Sequence, residues 1–236
     1  MKIATWNVNS LKVRLPQVLD WLAAEQPDVL CLQETKLTDE NFPADDIRAA
    51  GYEVVYSGQK TYNGGATISR SAATEVITDV PGLDDPQRRI LGTTIDGVRV
   101  LNLYVVNGQE VGSEKYAHKL HWLEKVTDYI ATQLKDHEYF VVLGDFNIAP
   151  EDRDVHDPER IGEVGETRSQ ITATLVGFDA VPSHLGDGDG VRVPGDPGTD
   201  QAEAGGARTL LARGAQQLEA ETDREGGPVF LHAGTQ

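Results

Sequence analysis

The supply of residues able to fill a core changes abruptly at Arg160, and that change limits what the chain can fold into. From Arg160 to the end, 77 residues contain no Trp, Tyr or Lys, hold 14 of the 24 glycines, and offer only Phe178 and Phe230 as aromatics. Such composition is poor material for a packed interior. The expected organisation is a core-bearing segment over residues 1–159 and an atypical, acidic, Gly/Ala-rich tail over 160–236. Within the tail, Ile171 to Val176 reads as a strand, Thr209 to Ala220 as a weak helix and Gly186 to Gly206 as loop.

The only cysteine, Cys31, sits in the apolar run Val29-Leu30-Cys31-Leu32. It reads as a buried strand residue, and a lone cysteine excludes an intramolecular disulfide framework. The N-terminus lacks a basic region followed by an apolar stretch, and no window approaches a membrane span, so a cytoplasmic protein without membrane contact is expected. A formal net charge of −17 opposes broad attraction to nucleic acid or anionic lipid. Any DNA partner therefore requires divalent metal or local basic residues to offset the repulsion.

Hydrophobic periodicity organises the first segment as strand, helix, strand. Lys2 to Val8 and Val29 to Gln33 read as buried strands around a helix from Arg14 to Ala24, with Pro16 in its first turn. Further strands are expected at Glu53 to Tyr56, Ala66 to Ile68, Glu75 to Ile77, Ile90 to Ile95, Val98 to Val106 and Tyr139 to Leu143. Asp96-Gly97 predicts a tight hairpin, and Ser113 caps a long helix from Glu114 to Leu134. The pattern predicts an α/β protein with a mixed, largely antiparallel sheet core.

Three of these strands emerge into polar residues that a purely structural strand does not need: Trp6-Asn7-Val8-Asn9, Gln33-Glu34-Thr35-Lys36 and Gly144-Asp145-Phe146-Asn147. Hard cations such as Mg²⁺ take oxygen ligands, usually one or two carboxylates completed by water and phosphate oxygens. Glu34 and Asp145, helped by Asn7, supply that donor set. Asn147, two residues past Asp145, points to the same side of an extended segment and offers an amide to a phosphate oxygen. Gln87-Arg88-Arg89, with Lys36, Lys60 and Arg70, is the best candidate phosphate track. His118 and His121 share a helix face without a third ligand, so zinc is not expected. Trp6, Trp21 and Trp122 read as core.

The segments Ile3 to Ser10, Leu32 to Lys36, Tyr62-Asn63-Gly64, Asp85 to Arg89, Asn102 to Gly108 and Leu143 to Pro150 together resemble the exonuclease III and abasic-site endonuclease family, within the endonuclease/exonuclease/phosphatase superfamily. The resemblance runs in order through residues 1–159. It implies a DNase I-like fold, a two-layer β-sandwich flanked by helices, and Mg²⁺- or Mn²⁺-dependent phosphodiester hydrolysis in DNA repair. The implied actions are 3′ to 5′ exonuclease cleavage of duplex DNA, incision at abasic sites and removal of 3′ blocking groups, by a monomer. Carried over by motif, Asn7, Glu34, Asp145 and Asn147 make up the metal centre, and Asp145 also orients or deprotonates the attacking water. Asn147 stabilises the phosphate and Tyr104 contacts it, while Asn9, Lys36, Arg88 and Asn107 touch DNA.

The family continues past this point with a tryptophan-rich strand region, an Arg-Ile-Asp strand and a near-terminal Ser-Asp-His, none of which occurs here. Ser183-His184 and His232 lack the matching Asp, and Asp187-Gly188-Asp189-Gly190 lacks the later Glu of a calcium loop. A shifted reading frame accounts for the tail. On that account the sandwich is incomplete at its C-terminus, with bare strand edges, poor solubility and impaired catalysis. Two other functions remain: a superfamily phosphoesterase acting on a non-DNA phosphodiester, and a DNA-binding remnant without hydrolysis.

Overall fold

Alternation along the strands explains the layers. The computed structural model describes residues 1–108 and 112–147, together with the backbone of strands at 211–213, 218–221 and 229–233. Strands β1 (Lys2–Asn7), β2 (Val29–Gln33), β3 (Glu53–Ser57), β4 (Gly65–Ser69), β10 (Leu218–Glu221) and β11 (Val229–Ala233) form one sheet, in the order β10-β11-β1-β2-β4-β3. The other sheet runs β5-β6-β7-β8-β9, from Thr74–Ile77, Ile90–Ile95, Val98–Tyr104, Phe140–Asp145 and Leu211–Arg213. Pairings β1/β2 and β7/β8 are parallel and the rest antiparallel.

Because strand side chains alternate between faces, each central strand contributes to two cores. Ala4, Leu30, Leu32, Ala66 and Ile68 pack with Leu11, Val18 and Leu22 of α1 (Leu11–Glu25) and Ile47 of α2 (Ala44–Ala49). Leu101, Leu103, Phe140 and Val142 pack with Trp122, Leu123, Val126 and Ile130 of α3 (Glu114–Asp136). The opposite faces meet between the sheets through Ile3, Val29, Cys31, Ile95, Val100, Val141 and Leu143. The result is a two-sheet sandwich with a helical layer on each outer face, the expected fold class. Cys31 is fully buried, and burial pushes its thiol up to about 12.

Local chemistry sets most element ends where periodicity places them. Asp96 and Gly97 both have positive φ, 49° and 80°, the requirement of a type I′ hairpin turn. The Ser113 hydroxyl accepts the Tyr116 amide at 3.1 Å and caps α3. Helix α1, however, starts three residues before the expected Arg14. Its first amides find tertiary acceptors, Ser10 N to Glu34 O at 2.8 Å and Leu11 N to Thr35 O at 3.1 Å. Pro16 therefore lies in the second turn. The short helix α2 has too few residues for a periodic signal and was not anticipated.

Two expectations for the tail are corrected. Residues 211–213 and 218–221 are strands, not parts of a helix from Thr209 to Ala220. The edges of β1 and β8 are not bare, since β11 pairs with β1 and β9 with β8, both antiparallel. Unpaired edge groups offer a partner that weak local helix preference does not match. Ile171 to Val176, Ser183-His184 and Asp187 to Gly190 lie outside the described residues, and His232 is described only as strand backbone.

Candidate active site

Period-two alternation carries four strands from apolar to polar as they approach one end of the inter-sheet layer. The inward rows run Ile3, Thr5, Asn7 on β1; Val29, Cys31, Gln33 on β2; Val100, Asn102, Tyr104 on β7; and Val141, Leu143, Asp145 on β8. Registers Asn7 opposite Gln33 and Tyr104 opposite Asp145 bring the polar ends level within each sheet. Sequence positions up to 138 residues apart thereby converge.

The Asn7 amide is the meeting point. Its Nδ2 donates to Glu34 Oε1 at 2.8 Å and to Asp145 Oδ2 at 2.7 Å, joining carboxylates carried by the two sheets. Its Oδ1 accepts the Asn9 backbone amide at 3.0 Å. The Tyr104 hydroxyl donates to Glu34. Asp145 Oδ1 accepts the Asn147 backbone amide at 3.0 Å, and Asn147 Nδ2 donates to Val105 O at 2.8 Å.

The loops that follow these strands share an unusual backbone. Asn9, Glu34, Lys36 and Asn147 have φ values of 42°, 54°, 55° and 49°, a left-handed conformation costing non-glycine residues roughly 1 kcal/mol each. Tertiary bonds sustain it: Thr35 N donates to Gly64 O, Lys36 N to Asn63 O and Gly64 N to Arg88 O. A Cβ at Gly64, φ 87°, would stand 2.3 Å from Thr35 Oγ1. The loops after β2, before β4 and before β6 are thus knitted into one rim.

Charge in the site is balanced locally. Burial alone raises the Glu34 carboxyl, but hydrogen bonds from Asn7, Lys36 and Tyr104 outweigh it and hold the group below its ordinary value. Lys36 Nζ lies 2.9 Å from Glu34 Oε2 and also donates to Asn9 Oδ1. Burial, reinforced by the Glu34 charge, pushes the Tyr104 phenol well up. The Arg89 guanidinium stacks 4.4 Å from the Tyr104 ring centroid and donates to Gln87 Oε1 at 2.7 Å. Burial draws Arg89 down, against the opposing pull of Tyr104, Asp85 and Glu34.

Among the described residues no three His, Cys, Asp or Glu side chains are grouped to hold a metal by themselves. Two converging carboxylates fit a hard divalent cation that completes its shell with water or substrate oxygens. The structure therefore brings Asn7, Glu34, Tyr104, Asp145 and Asn147 together. Asn9 and Lys36 line the same rim, exposed Arg88 joins it through Gly64, and exposed Asn107 follows β7 two residues after Val105.

Arg70 does not belong there. It bonds Gln26 O, Pro27 O and Asp28 O at the opposite end of β2, beyond the Val29/Ser69 register pair. Lys60 is exposed in the rim loop before β4. Lys119, 4% exposed, was missed: its ammonium donates to Asn147 O at 2.9 Å. Its place at the head of the buried helical stripe Lys119, Trp122, Leu123, Val126, Ile130 is the available sequence signal. Trp122 is core as expected, and Trp6 packs edge-on against Trp21.

The sequence and the fold have counterparts in known proteins. The sequence pattern described as the endonuclease/exonuclease/phosphatase family matches residues 4–224. Exodeoxyribonuclease III of Haemophilus influenzae is 32% identical over 162 residues, 66% of this chain and 60% of that protein. A 3′-5′ exonuclease from Neisseria meningitidis superposes with a TM-score of 0.82 at 36% identity over 99% of both chains. An AP endonuclease from Archaeoglobus fulgidus gives 0.78 at 29% identity over 100% of both. The chain spans about three fifths of the length of the curated relatives it matches, 63% and 60% for two exodeoxyribonucleases.

Proposed function

Because the chain belongs to the endonuclease/exonuclease/phosphatase family, we propose that it is a divalent-metal-dependent DNA-repair nuclease of the exonuclease III type, acting on abasic sites and 3′ ends of duplex DNA. The observation that carries this reading is the Asn7 amide holding Glu34 and Asp145 together across the two sheets, with Tyr104 on Glu34. The names of the similar exonucleases and AP endonuclease support the substrate class.

In this reading Glu34 and Asp145 would hold the cation, Mg²⁺ or Mn²⁺, which would supply charge neutralisation at the phosphate oxygens. Asp145 positions the attacking water and accepts its proton, its two oxygens fixed by Asn7 and the Asn147 amide. Tyr104, its ring covered by Arg89, faces the phosphate. The Asn147 carboxamide stabilises that group, and Asn9, Lys36, Arg88 and Asn107 carry DNA contacts at the rim. We also propose slow turnover with duplex affinity retained, since no Ser-Asp-His occurs between Arg160 and Gln236. Slow incision of an abasic-site duplex in Mg²⁺ is expected, and Asp145→Ala should abolish it. Tight duplex binding with no incision in Mg²⁺ or Mn²⁺ would establish the non-catalytic remnant instead.

A further inference from the structure

The catalytic groups are split between two sheets, and apolar packing alone is a poor way to hold them in register. The inter-sheet layer beneath the site includes Ile3, Val29, Cys31, Val100, Val141 and Leu143, whose contacts are non-directional. Directly above this layer lies a buried polar cluster that the chemistry does not use. Gln33 Nε2 stands 2.7 Å from Asn102 Oδ1, 2.9 Å from Thr5 Oγ1 and 3.3 Å from Cys31 O. Asn102 Nδ2 donates back across the gap to Leu32 O at 3.0 Å and Ala66 O at 3.1 Å. Thr5, Gln33 and Asn102 are 1%, 1% and 2% exposed. The cluster ties β7 of one sheet to β1, β2 and β4 of the other, one residue before Glu34 and two before Tyr104.

Replacing both amides by apolar side chains removes their mutual bond but leaves Leu32 O, Ala66 O and Thr5 Oγ1 without these donors, so the cluster contributes to stability as well. Their distinct contribution is direction. Two hydrogens of Asn102 aimed at carbonyls on separate strands, and one oxygen aimed at Gln33, fix the position of β7 along and across the facing sheet. We propose that Gln33 and Asn102 are positioning residues that set the placement of Tyr104 and Asp145 relative to Asn7 and Glu34. This rests on the nuclease reading for its kinetic consequence, but not for its structural one.

The test uses the full chain with Gln33→Met, Asn102→Leu and the double replacement, measuring single-turnover incision of an abasic-site duplex in Mg²⁺, duplex Kd and Tm. Each single variant should incise about tenfold more slowly with Kd within about twofold, because small misplacements near reacting groups are costly. The double variant should lose less Tm than the two singles added together but recover none of the lost rate, and be no slower than the worse single. A double variant with wild-type rate, or rates that simply follow Tm or Kd, would overturn the proposal.

Amide hydrogen exchange supplies an arm that does not depend on activity. Exchange should accelerate at residues 33–36 and 104–107 while Val29 to Cys31 and Val98 to Leu101 stay unchanged. Uniform acceleration across both sheets, or none, would overturn it. Thr5→Val, a smaller change, repeats this arm if the larger replacements do not fold. A wild-type chain that leaves the duplex intact sinks the nuclease assignment instead, and the exchange pattern still decides the bridge.

Discussion

Glu34 combines three constraints that work against one another: a left-handed backbone, partial burial and a negative charge. It is tolerated because Asn7, Lys36 and Tyr104 all donate to its carboxylate. Since those bonds lower its pKa from the ordinary 4.5, Glu34 contributes stability above pH 4.5, lost as pH falls through the lower folded value. Stability measured by urea unfolding should therefore fall less steeply below pH 4.5 in Glu34→Gln than in the parent. Lys119 behaves in the opposite sense for a buried cation. Burial lowers it from 10.5 to about 8, partly opposed by Asp145, so the folded state carries the full penalty below pH 8 and sheds it as pH rises to 10.5. Lys119→Met should remove that rise in stability between pH 8 and 10.5. Lys36 and Arg88 mark the limit of residue-level reading. Both were expected at DNA, yet Lys36 is already bonded to Glu34 and Asn9, whereas Arg88 is exposed beside Gly64.

At the scale of elements, the site depends on strand ends meeting in register. Gly144, φ 142°, allows β8 to approach β7 so closely that a Cβ there would lie 1.9 Å from Leu103 O. Gly144→Ala should displace Asp145 from Tyr104 and lower both Tm and incision rate, read by thermal unfolding and single-turnover cleavage; an unchanged rate would show that β8 tolerates the shift. Helix α3 matters through its two ends. Ser113 caps it, and Lys119 on its buried face holds the backbone carbonyl of Asn147 just past β8. Alternation and caps made most of β1, β2, β6, β8 and α3 readable from the chain, within one or two residues at their ends. The early start of α1 was not readable, because its first amides are satisfied by carbonyls of Glu34 and Thr35 from a distant strand end.

For the molecule as a whole, the edges of β1 and β8 decide whether the core-rich segment can stand by itself. Both are paired by strands from beyond residue 210. A chain ended at residue 159 should therefore expose two long strand edges and aggregate, whereas the 236-residue chain should elute as a discrete species in size-exclusion chromatography. Identical behaviour of the two would show that β9 and β11 contribute little. No described helix is long and apolar enough to cross a membrane. The net charge of −17 leaves the rim cations Lys36, Lys60 and Arg88 as a local exception on an acidic molecule. Taken alone, the sequence determined the family resemblance, the strand and helix pattern and the residue types of the site, because periodicity and short polar motifs are local properties. Only the tertiary structure decided that Asn7 donates to Glu34 and Asp145, that Arg70 lies at the far end, that Lys119 secures Asn147, and that Gln33 and Asn102 bridge the sheets. Those facts depend on the register between strands far apart in sequence, which inter-sheet packing and directional hydrogen bonds set together.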